Sequence, residues 1–567
     1  MSSETNGAAE RFAIGISFGN SSSSIARLNP EGKAEVIANE EGDRQIPSVL
    51  AYIDGEEYHG TQAKAQLIRN SKNTVAYFRD YLGKDFKSID PTPCHNSAHP
   101  QQNDSTVAFS ICDTANETPN TVTVSEITTR HLRRLKQSAS DYLGKEVNAA
   151  VITVPTDFKD SQREALIASA NAAGLEVLQL IHEPVAAVLA YDARPEAVVT
   201  DKLVVVADLG GTRSDASVVS CRGGMYSILA TAHDYELGGA TLDKIIIDHF
   251  GKEFQKKHKT DPREDVRGLA KLKLEGEATR KALSLGTNAS LSIESLANGI
   301  DYGSTVNRTR YELLSGKVFA QFTGLIEQVV KKAGLDVLDI DEVILAGGTS
   351  HTPKIAQLTA NIFPETTKVL APATFIGAIN PSELAPRGAA IQASLIQEFD
   401  KEDIEQSIHP MVTATPHLQN AIGVEFTSGE TVDFKALLNT ETALPARRLV
   451  QFAVPKEGGD VFIRVCEGVR EIKVTKPEPK AKEEKPAKTE EDEEDSDFDS
   501  DDEEEEETRE IIWKTEKPIA ELAVKGTKAG SKVELMIHVN ADLGLQITAK
   551  EVGGQSAVRG AVEAPKA

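Results

Sequence analysis

The segment from Leu203 to Val219 reads LVVVADLGGTRSDASVV, and this stretch decides the fold. Its first half is an aliphatic run that is typical of a buried strand, and its second half predicts a returning strand. Gly210, Gly211 and Thr212 lie between the two. Glycine lets the backbone approach a ligand closely, and the exposed amides of such a turn can donate to a phosphate. The segment therefore predicts a phosphate-binding hairpin.

Two other strand ends repeat this arrangement. The strand Ala13–Ser17 runs into Phe18-Gly19-Asn20-Ser21 and returns, and the strand Val343–Ala346 leads through Gly347-Gly348-Thr349 into a helix. One such loop alone more often just makes the turn. Three of them favour a site that grips a polyphosphate from both sides. Its predicted residues are Gly19, Asn20, Ser21, Gly210, Gly211, Thr212, Gly347, Gly348 and Thr349.

The chain of 567 residues changes its rhythm near residue 406. Before that point strands alternate with helical patterns, as in Val147–Val154 followed by Asp160–Ala173, which predicts an α/β domain over 12–406. Beyond it, apolar and polar residues alternate and predict a β-rich domain over 413–553. The remaining segments are predicted as a disordered N-terminus over 1–11, a linker over 407–412 and a flexible tail over 554–567.

The net charge of −25 is concentrated in one segment. Between Glu490 and Glu510 there are 16 acidic residues and one basic residue, so this stretch carries −15 and the rest of the chain −10. With the Lys/Glu/Pro tract before it, the run predicts a disordered, self-repelling insertion over 476–510 within the β-rich domain. We expect no direct binding of nucleic acid.

Composition favours a soluble protein of a reducing compartment. Hydrophobic residues make up 40% and charged residues 26%, and neither a membrane-spanning run nor a signal peptide is evident. The cysteines form no CxxC pair, which disfavours a disulfide scaffold or a zinc ribbon. The nearest approach to a zinc set is Cys94, His95, His99 and Cys112. Its Pro, Asn, Ser and Gln neighbours indicate an exposed loop, so we predict no metal site and a cytoplasmic location.

On these residues the chain resembles the actin-like ATPases, and within them the seventy-kilodalton heat-shock chaperones. The matching segments, in family order, are Ala13–Ile25, Val36–Pro47, Val151–Ala165, Glu183–Ala187, Asp208–Gly211, Leu237–Gly239, Val343–Lys354 and Gly388–Ala393. The resemblance implies an α/β actin-like ATPase domain of two lobes followed by a β-sandwich domain. Because the tail after Gly553 is short, we expect no helical lid on that sandwich.

The resemblance implies ATP as the cofactor. Glu277, Arg280 and Ser284 match the family's nucleoside contacts, and Gly239 joins the nucleotide-binding set. The three helical positions are spaced by 3 and 4 residues and so share one face. Without the resemblance, the same spacing would be as typical of a solvated face with paired charges.

Three positions depart from the family's catalytic pattern. Members carry an Asp at the first strand end, a Lys that positions the attacking water and a Thr near the γ-phosphate, and here these positions hold Ser17, Arg79 and Arg213. The retained acids are Glu183, Asp208 and Asp215. Mg²⁺ relies on carboxylates and waters, and each lost transition-state contact removes about 10²- to 10³-fold in rate. We therefore predict ATP binding with little or no hydrolysis, so no enzyme activity, and a weak or absent requirement for Mg²⁺.

These departures resemble an atypical branch of the family whose members pair with a zuotin-like J-protein in the fungal ribosome-associated complex. The resemblance implies a stable heterodimer with a J-protein co-chaperone and contact with the ribosome through that partner. It also implies functional support of another heat-shock chaperone that folds nascent chains, and no membrane partner.

Two alternatives remain open from the sequence. The first is an active ATP-driven chaperone with its own peptide-binding cycle. The second is a sugar kinase of the same superfamily, which is disfavoured because the C-terminal third predicts a β domain where such a kinase would complete its second α/β lobe.

Overall fold

A computed structural model describes most of the chain. The described residues are 11–89, 97–115, 118–194, 197–198, 200–222, 225–408, 418, 420–428, 431–438, 442, 444–454, 458–475, 508–554 and 557–564. The chain divides into two compact units, of which unit 1 comprises 1–419 with 441–445 and unit 2 comprises 420–440 with 446–567. The division lies C-terminal to the predicted linker over 407–412, most of which is outside the described residues.

The first lobe of unit 1 is built on a mixed sheet. Its strands are β1 (Ala13–Phe18), β2 (Ser22–Leu28), β3 (Ala34–Ile37), β4 (Ile46–Pro47), β5 (Val49–Ile53), β6 (Glu56–His59), β7 (Thr74–Ala76), β8 (Pro100–Asn103), β9 (Thr106–Ile111), β10 (Asn120–Thr123), β11 (Ala149–Val154) and β12 (Glu176–His182). Its helices are α1 (Gly60–Ala65), α2 (Val124–Leu143), α3 (Asp160–Ala172) and α4 (Glu183–Asp192). The main sheet has the order β12-β11-β1-β2-β3, with β1 parallel to β11 and antiparallel to β2. The first lobe also contains two three-stranded sheets, with the orders β6-β5-β7 and β10-β9-β8.

The second lobe repeats this plan. Its strands are β13 (Lys202–Leu209), β14 (Ser214–Arg222), β15 (Met225–Asp234), β16 (Asn288–Ala297), β17 (Ile300–Asn307), β18 (Glu342–Ala346) and β19 (Lys368–Leu370). The helices that follow along the chain are α5 (Gly239–His258), α6 (Val266–Leu285), α7 (Arg308–Leu314), α8 (Gly316–Lys332), α9 (Pro353–Ala360), α10 (Leu384–Ile396) and α11 (Lys401–Ile408). The main sheet has the order β15-β14-β13-β18-β19, with β13 parallel to β18 and antiparallel to β14. The two mixed sheets confirm the predicted two-lobed α/β architecture.

Helix α10 packs against β1 and α4 with backbone meeting backbone. A Cβ atom on Gly15 would collide with the backbone of Ala389 and Ala390, and one on Gly388 would collide with the backbone of Ala186. Only glycine permits such an approach. The contact fixes β1 against α10, and thereby the position of the first glycine loop at the end of β1.

Unit 2 contains two antiparallel sheets of four strands each. The strands are β20 (Ala421–Ser428), β21 (Thr431–Leu438), β22 (Ala446–Ala453), β23 (Gly459–Thr475), β24 (Thr508–Thr527), β25 (Lys532–Val539), β26 (Leu545–Glu551) and β27 (Ala557–Val562). Their orders are β21-β20-β23-β24 and β22-β25-β26-β27. On β25 the alternate residues Val533, Leu535, Ile537 and Val539 are buried, which is the apolar alternation that the sequence indicates. Every element assigned to the described part of unit 2 is a strand.

Several predicted boundaries change. The prediction of a flexible tail over 554–567 is wrong for Ala557–Val562, because these residues form β27 and satisfy the backbone groups at the edge of β26. The insertion predicted over 476–510 ends earlier, since β24 begins at Thr508, and its part 476–507 lies outside the described residues.

Corrections of the same kind apply at two other ends. Ser407 and Ile408, predicted as the start of the linker, complete α11. Of the N-terminus predicted as disordered over 1–11, residues 1–10 lie outside the described residues, whereas Arg11 pairs with Glu176 at 2.8 Å (Nε to Oε2).

The pairing of Thr475 with Thr508 brings the two ends of segment 476–507 together. We expect that replacing 476–507 by a short Gly-containing turn leaves the melting temperature of unit 2 unchanged or slightly raised. The reason is that a shorter connection between two strands costs less entropy to close. Thermal unfolding followed by circular dichroism measures this. A large drop would show that the segment contributes packed structure.

Candidate functional site

The three glycine loops meet in unit 1. The Asn20 side-chain amide (Nδ2) donates to the Thr212 hydroxyl at 3.0 Å, which ties the loop of the first lobe to the loop of the second. The Thr349 hydroxyl donates to the Gly210 carbonyl at 2.8 Å. A Cβ atom on Gly211 would collide with the Ser21 side chain, so the two hairpins approach as closely as their backbones allow. The predicted convergence of the loops is thus what the structure shows.

Two further glycines shape the same place. Gly347 has φ of 82°, a left-handed conformation that other residues adopt with strain, and a Cβ atom there would collide with the Asp208 carboxylate. The Gly239 amide at the start of α5 donates to the Gly210 carbonyl at 3.0 Å. A Cβ atom on Gly239 would lie 2.9 Å from Arg280 Nη2. Glycine backbone and a guanidinium therefore adjoin one another, which suits an anionic ligand.

The predicted nucleoside residues lie on α6. Arg280 is buried and its Nε donates to Asp243 Oδ1 at 2.5 Å. Glu277 binds Lys64 Nζ of the first lobe at 2.5 Å and Lys281 Nζ at 2.7 Å.

Glu277 and Ser284 of α6 differ in the groups that they contact. Burial alone would raise the pKa of Glu277, but the two lysines outweigh it and lower that pKa to about 2. The Ser284 hydroxyl instead donates to the Arg280 carbonyl of its own helix at 3.3 Å. The structure thus brings Arg280 to the loops and leaves Ser284 bonded within α6.

Arg213 is the centre of a buried ion network. Its Nη2 lies 3.0 Å from Asp157 Oδ1 and 3.1 Å from His233 Nδ1, and it pairs closely with Asp215. The guanidinium also lies over the Tyr235 ring, with 4.6 Å from Cζ to the ring centroid. Only 7% of the Arg213 side chain is exposed. A permanent cation is therefore held at the end of β13 and β14 by two carboxylates, an imidazole and an aromatic face.

The same groups decide whether a metal fits. Asp157, Asp215 and His233 form the one group among the described residues whose ligand atoms are close enough to share a metal ion. Arg213 contacts all three of them. Burial would raise the pKa of Asp215, but Arg213 and His233 outweigh it and lower that pKa. Since a guanidinium already neutralises the acids, the arrangement does not fit Mg²⁺, which needs free carboxylate oxygens.

The remaining acids are compromised as metal ligands in another way. Arg79, in a buried 3-10 turn, places Nη2 at 2.7 Å from Asp80 and Nη1 at 3.3 Å from Glu183. Burial raises the pKa of Glu183 to about 8, with Asp208 and Asp215 acting in the same direction. Burial and the Asp215 charge likewise raise the pKa of Asp208 to about 6. Glu183 is therefore mainly a neutral acid at pH 7.

Ser17 stands on β1 between Ser24 of β2 and Thr153 of β11. Its hydroxyl brings no charge to the place where the resemblance leads one to expect a carboxylate. Of the zinc alternative, Cys94 and His95 lie outside the described residues.

Sequence reasoning missed Asp157, His233 and Tyr235. His233 faces Asp215 across the β14–β15 ladder, so it is found only when the strand register is known. Asp157 comes from the segment after β11 in the other lobe. The one signal available in the sequence was that the acid Asp157 comes soon after the buried strand β11.

A family model described as Hsp70 protein matches residues 13–482. The chain belongs to the Hsp70 family. It is similar to the Ribosome-associated complex subunit SSZ1 of Saccharomyces cerevisiae, 44% identical over 96% of this chain and 99% of that protein. It is also 44% identical to a heat shock protein 70 homolog of Schizosaccharomyces pombe, over 96% of this chain and 95% of that protein. Heat shock 70 kDa protein 14 of Homo sapiens is 33% identical over 80% of this chain and 87% of that protein.

Family membership confirms the resemblance drawn from the sequence. Among the helices of the described residues, none is long and apolar enough to cross a membrane.

The raised pKa of Glu183 predicts a pH dependence of stability. In the unfolded chain Glu183 ionises near 4.5, whereas in the folded protein it holds its proton up to about pH 8. The folded state therefore binds more protons between these values, and Glu183 lowers the unfolding free energy by up to about 1.4 kcal/mol per pH unit as the pH rises.

Glu183→Gln keeps a neutral side chain at every pH. We expect its unfolding free energy in urea to fall less than that of the unmodified protein between pH 6 and 8. The exposed Glu31→Gln variant is the matched control and should follow the unmodified protein. A difference between Glu183→Gln and the unmodified protein that stays constant with pH would contradict the assignment.

Proposed function

We propose that this protein is a regulatory Hsp70 subunit that binds ATP with little or no hydrolysis and forms a stable complex with a zuotin-like J-protein at the ribosome. In that role it supports a separate chaperone in folding nascent chains. The observation that carries the proposal is the pairing of Arg213 with Asp157, Asp215 and His233. The phosphate-binding loops keep their shape, but Asp157 and Asp215 are paired with Arg213 and are not free to bind a metal.

Three features support ATP as the ligand. The loops at Gly19, Gly210 and Gly347 converge, and their glycines have no room for side chains. The start of α5 adjoins Arg280, so a buried cation lies beside the loops. The chain also belongs to an ATP-binding family.

The charge states argue against hydrolysis. A general base near the γ-phosphate must be ionised at working pH, and the raised pKa of Glu183 keeps that group protonated. Arg213 cannot lose its proton, and its contacts with two acids hold it in place. Asp208 remains the one family acid without an arginine partner among the contacts described. Its pKa of about 6 leaves Asp208 ionised at pH 7, but a single free carboxylate supports Mg²⁺ poorly, so a metal-bound water is not provided.

The proposal of a J-protein partner is supported by similarity to a yeast protein and by an edge strand in unit 2. The similar yeast protein is by its name a subunit of a ribosome-associated complex, and this chain covers 99% of it. In unit 2, β22 is an edge strand that pairs with β25 alone within its sheet, and Leu449 on it is 48% exposed. An extended apolar segment can add to such an edge through main-chain hydrogen bonds. We propose that a J-protein supplies this segment and stays bound.

The hydrolysis proposal is tested by single-turnover measurement. We expect the purified protein to bind ATP in calorimetry and to convert it at the rate of a protein-free blank, because the raised pKa of Glu183 keeps that acid neutral and Asp208 alone is a poor ligand set for a metal. The Arg280→Ala variant, which removes a cation next to the loops, should weaken ATP binding. Turnover comparable to that of an ordinary Hsp70 protein would instead favour an active ATP-driven chaperone.

The metal proposal is tested by chelation. We expect EDTA to weaken ATP binding far less than it does in an ordinary Hsp70 protein, since the acids paired with Arg79 and Arg213 leave Mg²⁺ few free carboxylate oxygens. Affinities measured with and without EDTA at constant ionic strength give the result. A loss as large as that of the ordinary protein would mean that Mg²⁺ carries the phosphates here too.

The partner proposal is tested by dissociation. We expect the full chain to hold a zuotin-like J-protein with a slow off-rate that ATP does not accelerate, and a variant lacking 420–567 to lose this binding. Surface plasmon resonance with and without ATP measures both. Prompt release on ATP addition, or unchanged binding after the deletion, would overturn it.

A further inference from the structure

Ser48 holds two carbonyl groups of the first glycine loop. Its hydroxyl donates to the Gly19 carbonyl at 2.7 Å, and its backbone amide donates to the Ser21 carbonyl at 3.1 Å. Ser48 follows β4 and is only 1% exposed. Ser48 therefore attaches the loop to the interior of the first lobe through two hydrogen bonds.

Two buried side chains continue this contact inward. The Ser23 hydroxyl lies 3.0 Å from the Ser48 hydroxyl, and His131 Nε2 lies 3.0 Å from the Ser23 hydroxyl. Ser23 and His131 are 0% and 1% exposed. The His131 ring is packed between Phe18 and Phe78, at centroid distances of 6.0 and 5.8 Å, so its orientation is fixed by the core.

The number of available protons fixes the direction of each hydrogen bond between His131 and Gly19. A carbonyl only accepts, so the single Ser48 hydroxyl proton goes to Gly19. Ser48 must then accept from Ser23, and Ser23 in turn must accept from His131 Nε2. His131 is therefore the tautomer protonated at Nε2. Burial, with the nearby His59, lowers the pKa of His131 to about 3, so the ring stays neutral, and its Nδ1 has no hydrogen-bond partner among the described residues.

The hydrogen bonds from His131 through Ser23 and Ser48 to Gly19 form a relay. This relay also determines where the next backbone amide points. The Gly19 carbonyl and the Asn20 amide share one plane and point in opposite directions. With the carbonyl held by Ser48, the Asn20 N–H must point away from the interior. The Asn20 side chain already reaches Thr212 of the opposite loop, so this residue lies where the loops meet.

We propose that Ser48, supported by Ser23 and His131, is a positioning residue that holds the first glycine loop in the form that binds phosphate. The inference rests on the proposed function for the identity of its ligand, the triphosphate of ATP. It does not depend on hydrolysis, on a metal or on the partner.

The first test compares Ser48→Ala with Ser169→Ala. Ser169 is a matched control, because its buried hydroxyl donates to the Ser125 carbonyl elsewhere in the first lobe. Affinities for ATP and for adenosine are measured by calorimetry. We expect Ser48→Ala to weaken ATP binding about 10-fold, the worth of one buried hydrogen bond, and to leave adenosine binding and Ser169→Ala unchanged. Equal losses for ATP and adenosine, or no loss for either, would overturn the proposal.

The second test needs no ligand and therefore separates this inference from the proposed function. Amide hydrogen exchange over 19–22 should become faster in Ser48→Ala and in His131→Leu, which lack the relay. It should stay near that of the unmodified protein in His131→Gln, which keeps a donor, and in Ser169→Ala. Nitrogen-15 spectra should show His131 protonated at Nε2. Unchanged exchange in Ser48→Ala, or an Nδ1-protonated ring, refutes the relay, whereas failure of the unmodified protein to bind ATP refutes the proposed function.

Discussion

The burial of the Arg213 guanidinium is the constraint on which the rest of the site depends. A permanent cation that water hardly reaches must have anions beside it, because an unpaired buried charge costs several kcal/mol, by order of magnitude. Asp157 and Asp215 meet that need from two different lobes, and His233 and Tyr235 complete the enclosure. Once these acids are committed, they are unavailable to a metal. The identity of one side chain at the end of a hairpin thereby changes the chemistry available to a site whose backbone is otherwise intact.

The backbone of the site and its electrostatics are set by different parts of the sequence. Gly19, Gly211, Gly239 and Gly347 shape the frame sterically, because a Cβ atom at any of them would collide with a neighbour. The acids Glu183 and Asp208 lie deep enough that burial raises the pKa of each. A protein can in this way alter the charge of a buried centre and keep the shape of the backbone around it.

Much of the fold follows from local sequence pattern, and much of the site does not. The hairpin at Leu203–Val219 and the strands of unit 2 could be predicted because alternation, aliphatic runs and glycine turns act over a few residues. The partnership of Asp215 with His233 depends on strand register, and that of Arg213 with Asp157 depends on how two lobes meet. Strand β27 was missed because short residues such as Ala557 and Gly560 carry weak propensity, and it forms because the neighbouring edge offers unpaired backbone groups. Tertiary context decides such cases.

The glycine contacts of α10 have a mechanical consequence. At Gly15 and Gly388 the backbones of β1, α10 and α4 touch without any side chain between them, so no rotamer change can accommodate sliding at that point. α10 also packs against β2, β3 and β11. The helix and the main sheet of the first lobe therefore move as one body. The first glycine loop begins where β1 ends, so it can shift only together with α10.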